Sequence, residues 1–131
     1  MQHVRVEIEV GASSIHLLPS RYNTNRDVKL IARCDVCFVA EVDGRVVGYA
    51  TNYINELASR GTIANLAVSA ACQGLGVGRK LMERSIERFR ELGLRQAKIE
   101  TLECNQTGRH LYPSVGFEEV VRQIHYIMPL D

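Results

Sequence analysis

Three glycines at alternate positions, Gly74, Gly76 and Gly78, stand between the apolar run Ile63 to Val68 and a long amphipathic segment that opens with Arg79, Lys80 and Leu81. Glycine lets the backbone take up positive φ and approach a ligand with no Cβ in the way. A helix starting there offers unpaired N–H groups and the positive end of its dipole. The chemistry open to such a stretch is anion holding, with phosphate as the natural occupant. Arg79 and Lys80 fall in the first helical turn, where the dipole disfavours cations by about 0.3–1 kcal/mol each. A bound polyanion reverses that sign.

Spacing separates the phosphate motifs that could claim these glycines. A Walker loop ends in Gly-Lys-Ser/Thr, and no such triplet follows Gly74. A dinucleotide fingerprint needs G-x-G-x-x-G, yet the third glycine position after Gly74 and Gly76 is Arg79. Gln73-Gly74-Leu75-Gly76-Val77-Gly78 fits Gln/Arg-x-x-Gly-x-Gly/Ala instead. A second chemistry-bearing stretch runs Asn105-Gln-Thr-Gly-Arg-His-Leu-Tyr112-Pro-Ser-Val-Gly116-Phe117.

Taken together and in this order, the two stretches resemble the paired signatures of the GNAT superfamily of N-acetyltransferases: the pyrophosphate loop, and Asn-x-x-Ala-x-x-Leu-Tyr followed by Gly-Phe. The spacing agrees at Asn105, Leu111, Tyr112, Gly116 and Phe117, while Gly108 replaces the usual Ala and Pro113 is less common there. The resemblance is good from Asp43 to Leu130 and weak over the first forty residues. It implies transfer of an acetyl group from acetyl-CoA to a primary amine of a small molecule or peptide, by direct attack in a ternary complex.

The implied coenzyme-binding residues are Leu66, Ala67, Val68, Gln73, Gly74, Gly76, Val77, Gly78, Arg79 and Asn105. An oxyanion donor is implied in the backbone near Leu66 and Ala67, where family strands are bulged. Tyr112 is the implied acid for the departing thiolate; read alone, it is an aromatic core residue with a satisfied hydroxyl. Asn105 read alone is a helix cap. The amine must be neutral before it attacks, so a base or water chain must take its proton; Glu56, His16, His110 and His125 are candidates by type, and none is assigned.

These groups need a scaffold. Val4 to Val10 alternates as a strand, and Gly11 to Asp35 holds Pro19 and a short helical candidate around Arg26 to Arg33. Val36 to Val42 and Arg45 to Tyr53 are β-rich and joined by Asp43-Gly44, a hairpin signal because both turn positions need positive φ. With Thr62 to Val68 they form an antiparallel meander. From about Val77 to Leu92 a helix puts Leu81, Met82, Ser85, Ile86, Phe89 and Leu92 on one face and ends at Gly93. Gln96 to Glu103 reads as a strand parallel to the one before the helix. Asn105 caps a helix to about Tyr112, which Pro113 should stop, and Gly116 to Val121 and Ile124 to Met128 read as closing strands. The fold implied is α/β of the α+β kind, GNAT-like: a mostly antiparallel central sheet with one parallel pair splayed around the coenzyme, flanking helices, and a shortened N-terminal helical region.

At 131 residues the chain suits a single domain. A hydrophobic share of 46% and a charged share of 24% are those of a globular protein, and 16 Lys+Arg against 15 Asp+Glu give no nucleic-acid footprint. The opening strand pattern and the lack of a ~20-residue apolar run point to a cytoplasmic protein off the membrane. Cys34-Asp-Val-Cys37 could be a redox pair or half a zinc site, but no second pair completes a ligand set; these two, with Cys72 and Cys104, read as buried or idle thiols. No metal is expected, and a homodimer is left open. A non-catalytic acyl-CoA-binding or regulatory module is the alternative. A Rossmann-type nucleotide domain, with Glu100 or Glu103 after the glycines, fails on the third glycine and on the meander.

Overall fold

A computed structural model describes residues 31–131 together with the strand at residues 4–9. Five strands lie in sequence order across one sheet: β1 (Val4–Glu9), β2 (Val36–Val42), β3 (Arg45–Asn55), β4 (Arg60–Val68) and β5 (Gln96–Ile99). The first three junctions are antiparallel and β4–β5 is parallel, as the meander followed by a helical crossover requires. The crossover helix is α1 (Val77–Glu91), and α2 (Gln106–Val115) follows β5. Of the N-terminal helical candidate only residues 31–33 are described, and they are helical; the shortening of that region, Pro19 and His16 lie outside the described residues.

β2 shows why the sheet is buried on both faces. Val36, Phe38, Ala40 and Val42 pack with Val77 and Leu81 of α1, while Cys37 and Val39 pack on the opposite face with Ile31 and Tyr49. A strand alternates its side chains between faces, so one apolar run serves two layers. Full burial of side chains such as Phe38 and Leu81 is worth about 1.5–3 kcal/mol each. The hairpin forms at Asp43 and Gly44, both at positive φ (51° and 78°).

α1 buries Val77, Leu81, Met82, Ser85 and Phe89. Leu92, expected on that face, is 44% exposed, because it is the residue at which the helix turns off through Gly93 (φ 74°). Phe89 lies flat over Gly61 of β4, where a Cβ would come within 2.4 Å of the ring. This close approach locks α1 to the strand that must meet β5.

Several boundaries differ from the sequence expectations. β5 ends at Ile99 instead of Glu103, since past Ile63↔Ile99 the two strands separate and no partner remains. α2 continues through Pro113 to Val115. Proline removes one backbone donor, and the carbonyl thereby released belongs to Arg109 on the exposed side; Gly116 N–H to Pro113 O (3.1 Å) and Phe117 N–H to Tyr112 O (3.1 Å) close the end. The stretches Gly116 to Val121 and Ile124 to Met128 are not strands. They carry the alternating pattern but make no ladder with β5, and the tail is tied by Arg122, which pairs with Glu103 (3.0 Å) and with Glu119.

Candidate active site

The site begins where β4 and β5 part. Between them opens a cleft of about 300 Å³ lined by Ile63 to Leu66 on one side and by Ile99 to Leu102, Asn105 and Tyr112 on the other. Its floor is the cluster of Ile63, Met82 and Phe89, against which Leu66, Leu111 and Tyr112 pack.

Backbone polarity along β4 follows from register. Ser69 N–H donates to Val47 O at 2.7 Å, and antiparallel neighbours alternate between bonded and non-bonded pairs. Counting back through Val68↔Gly48, Ala67↔Tyr49 and Leu66↔Ala50, Ala67 turns its peptide groups toward β3, whereas Leu66 and Val68 turn theirs away. On that far side β5 has already ended, so the Leu66 N–H opens onto the cleft. The bulge expected near Leu66 and Ala67 sits earlier: Thr51↔Asn65 is followed by Asn52↔Ile63, leaving exposed Ala64 as the extra residue. A bulge kinks and twists its strand, and here it does so where β4 and β5 diverge.

After β4 a single 3-10 turn (Ala70–Cys72) leads into the glycine loop. Gly74 and Gly76 have φ of 85° and 80°, and nothing lies within 4 Å of where their Cβ atoms would be. Their dihedrals demand glycine and the space over them is open. Gly76 is the N-cap of α1 with no side-chain cap and no acid in the first turn. The N–H groups of Val77, Gly78 and Arg79 find no acceptor among the described residues, as helix geometry requires unless a ligand provides one. A cradle of bare N–H donors beneath an open volume fits a pyrophosphate-bearing group.

The other expected coenzyme residues fall into place unevenly. Val77 is buried, packed in the core with Leu81, so only its backbone faces the cradle. Gln73 folds its amide back onto Val68 O (3.4 Å) and braces the loop. Arg79 reaches along the helix to the Ser114 hydroxyl and to Glu83 (3.8 Å); its N–H, not its guanidinium, lies in the N-terminal row. Ala67 packs with Cys34 and Val46 around Tyr49, and Val68 joins the α1 core cluster.

Across the cleft, Asn105 caps α2 by accepting from Gly108 N–H (3.1 Å) and donates through Nδ2 to Thr101 Oγ1 (2.8 Å). Tyr112 packs edge-on to Phe117, with centroids 6.4 Å apart. Burial raises its pKa above the ordinary phenol value, opposed by a hydrogen bond from the Thr101 side chain. Gly108 accounts for its own departure from the family pattern: a Cβ there would lie 2.8 Å from Asn105 Nδ2 and 2.9 Å from Tyr112 Cε2. Thr101 was not among the expected site residues; its signal is a hydroxyl four positions before the capping Asn105.

Among the described residues no group of three His, Cys, Asp or Glu could hold a metal, and no helix is long and apolar enough to cross a membrane. Glu56 is exposed in the turn after β3. Cys34 differs from the idle thiol expected of it: the hydrogen bond from Cys37 chiefly draws its pKa down to about 7, while Cys37, giving that bond and buried, is pushed far up.

Residues 8–117 match the acetyltransferase (GNAT) family. An N-alpha-acetyltransferase of Sulfurisphaera tokodaii is 32% identical over 68% of this chain and 60% of its own length. A ribosomal protein bS18-alanine N-acetyltransferase of Haemophilus ducreyi is 34% identical over 56% of this chain and 51% of its own. The chain thus spans between about half and three fifths of the length of these curated relatives. The aminoglycoside N-acetyltransferase AAC(6')-Iy, solved in complex with CoA, superposes with a TM-score of 0.74 at 17% identity, covering 98% of this chain and 96% of that one, which shows a shared fold.

Proposed function

The chain belongs to the acetyltransferase (GNAT) family, and from that premise we propose that it is a single-domain, cytoplasmic N-acetyltransferase that moves an acetyl group from acetyl-CoA to a primary amine of a small molecule or a peptide. The observation that carries this reading is the opposition, across one cleft, of free backbone donors and a buried phenol: Leu66 N–H on β4, the N–H row of Val77, Gly78 and Arg79 beyond it, and Tyr112 on the facing wall.

Each group has one task. The N–H row at the head of α1 and the open backbone of Gly74 and Gly76 bind the pyrophosphate of the cosubstrate. Leu66 N–H donates to the thioester oxygen as negative charge builds on it; a preorganised donor of this sort is worth roughly 3–4 kcal/mol in acyl transfer. The neutral amine nitrogen forms the new C–N bond as the C–S bond breaks. Tyr112, whose raised pKa keeps its proton in place through neutral pH, gives that proton to the departing sulfur, and the proton lost by the amine passes to water or a base. Asn105 contributes through its backbone and its placement of α2, because both ends of its amide are engaged within the protein.

The names of relatives span protein α-amino groups and aminoglycosides, and both acceptor classes belong in the first screen. Calorimetric titration with acetyl-CoA, CoA, NAD and ATP is expected to show saturable binding of the two coenzymes alone. Amine acceptors are then offered and products identified by mass. Coenzyme binding with no acceptor acetylated leaves a non-catalytic acyl-CoA-binding module; no coenzyme binding by folded protein overturns the proposal.

A further inference from the structure

The polar groups on the α2 wall of the cleft form a directed chain, and the direction can be read from donor and acceptor chemistry alone. Gly108 N–H can only donate, so the Asn105 atom it meets at 3.1 Å is the amide oxygen. The other end of that amide is therefore the NH₂ group, which has no lone pair to offer and must donate to Thr101 Oγ1 at 2.8 Å. Thr101 accepts there and has its single proton left to give. Its side chain is hydrogen-bonded to Tyr112, so the Thr101 O–H points at the phenol oxygen. With one lone pair of that oxygen occupied, the Tyr112 O–H is directed away from Thr101.

We propose that Thr101, held by Asn105, is a positioning residue that turns the Tyr112 hydroxyl proton into the cleft between β4 and β5. The inference rests on the reading of Tyr112 as the proton donor to the leaving sulfur, and assigns to this chain the device that aims it. Gly108 is part of the same device. A Cβ at that position would meet the Asn105 amide nitrogen at 2.8 Å and the Tyr112 ring at 2.9 Å, so glycine lets the ring and the amide lie close enough for both to reach Thr101. The helix gives up roughly 1 kcal/mol of propensity relative to alanine for that closeness.

The test is Thr101→Val, which keeps the shape and removes the hydroxyl at an exposed position where folding is not at stake. Two readouts are taken: the Tyr112 titration by carbon NMR of ring-labelled tyrosine in the coenzyme-free protein, and steady-state transfer to an acceptor found in the screen. Thr101 donation stabilises the phenolate, so its loss is expected to move the Tyr112 pKa upward. The rate constant for transfer should fall about tenfold, below the 10²–10⁴ of losing a general acid outright, with KM for acetyl-CoA unchanged. Thr101→Ser should restore both values. A Tyr112 titration identical in Thr101→Val and wild type overturns the proposal, whatever the rate does, as does a Thr101→Ser variant that behaves like Thr101→Val. If the wild type acetylates no amine while the titration shifts as stated, the hydrogen-bond chain stands and the enzymatic reading falls.

Discussion

The glycine loop and the C-terminal tail are the two stretches of this chain with the strongest local patterns, and they end differently. In the loop, the pattern is satisfied on the spot: Gly74 and Gly76 adopt the positive φ that glycine permits, and the helix head follows at once. In the tail, the alternation of Val120, Arg122, Ile124, Tyr126 and Met128 finds no ladder, and Ile124, Tyr126 and Met128 stay 75–89% exposed. A dihedral preference is a property of a residue and its neighbours. A strand preference reports fitness for a pleated, half-buried surface that another segment must provide. The cradle is therefore specified within a few residues, whereas the tail's structure depends on an edge elsewhere.

Substitutions at the cleft should hurt function most. Tyr112→Phe is expected to lower the rate constant for transfer by on the order of 10²–10⁴ while calorimetric affinity for CoA holds; undiminished turnover would remove Tyr112 from the chemistry. Gly76→Val forces a β-branched residue to φ near 80°, a strain of about 1–3 kcal/mol, so CoA affinity should drop roughly 5- to 150-fold with Tyr112 unaffected. Retained affinity would deny that the loop's pattern serves a ligand. Gly61→Ala drives a methyl into the Phe89 ring and should cost about 1–3 kcal/mol of stability by urea unfolding.

The tail should matter least to stability. Removing residues 118–131, whose apolar side chains are exposed, is expected to change the unfolding free energy by less than about 1 kcal/mol, since exposed ion pairs such as Arg122–Glu103 contribute little. A larger loss would mean that in solution the tail has found the edge it lacks here, and the contrast with the loop would dissolve. The pH profile gives a finer check. Because burial raises the Tyr112 pKa, transfer should climb as the amine deprotonates and turn down only above the ordinary phenol range near ~10; a decline at neutral pH would point to another acid.

Much of this was legible in advance for reasons of locality. Val36 to Val42, the Asp43-Gly44 turn, the glycine loop and α1 are each written in residues that lie next to one another. What escaped depends on partners distant in sequence. β5 stops at Ile99 because β4 turns away at Ala64. The Leu66 N–H is free, and the Ala67 N–H is not, because of a register counted from Val47. Pro113 enters α2 because the carbonyl it displaces lies on the exposed side. Gly108 looked like a defect in the motif until Tyr112 and Asn105 were seen to occupy the space of its missing methyl.

The order of the strands also bears on how the molecule forms and breathes. β2, β3 and β4 are joined by short turns, whereas β5 returns to β4 only after the whole of α1. Loop-closure entropy favours the local pairings first, so the meander should fold early and the parallel four-residue seam close last. In native-state amide exchange, β2 and β3 should then be the slowest to exchange, and β5 should open by a smaller, sub-global event. The wall of the cleft would be the part of the sheet that can part from its neighbour while the rest stays folded, leaving a way in for a long cosubstrate.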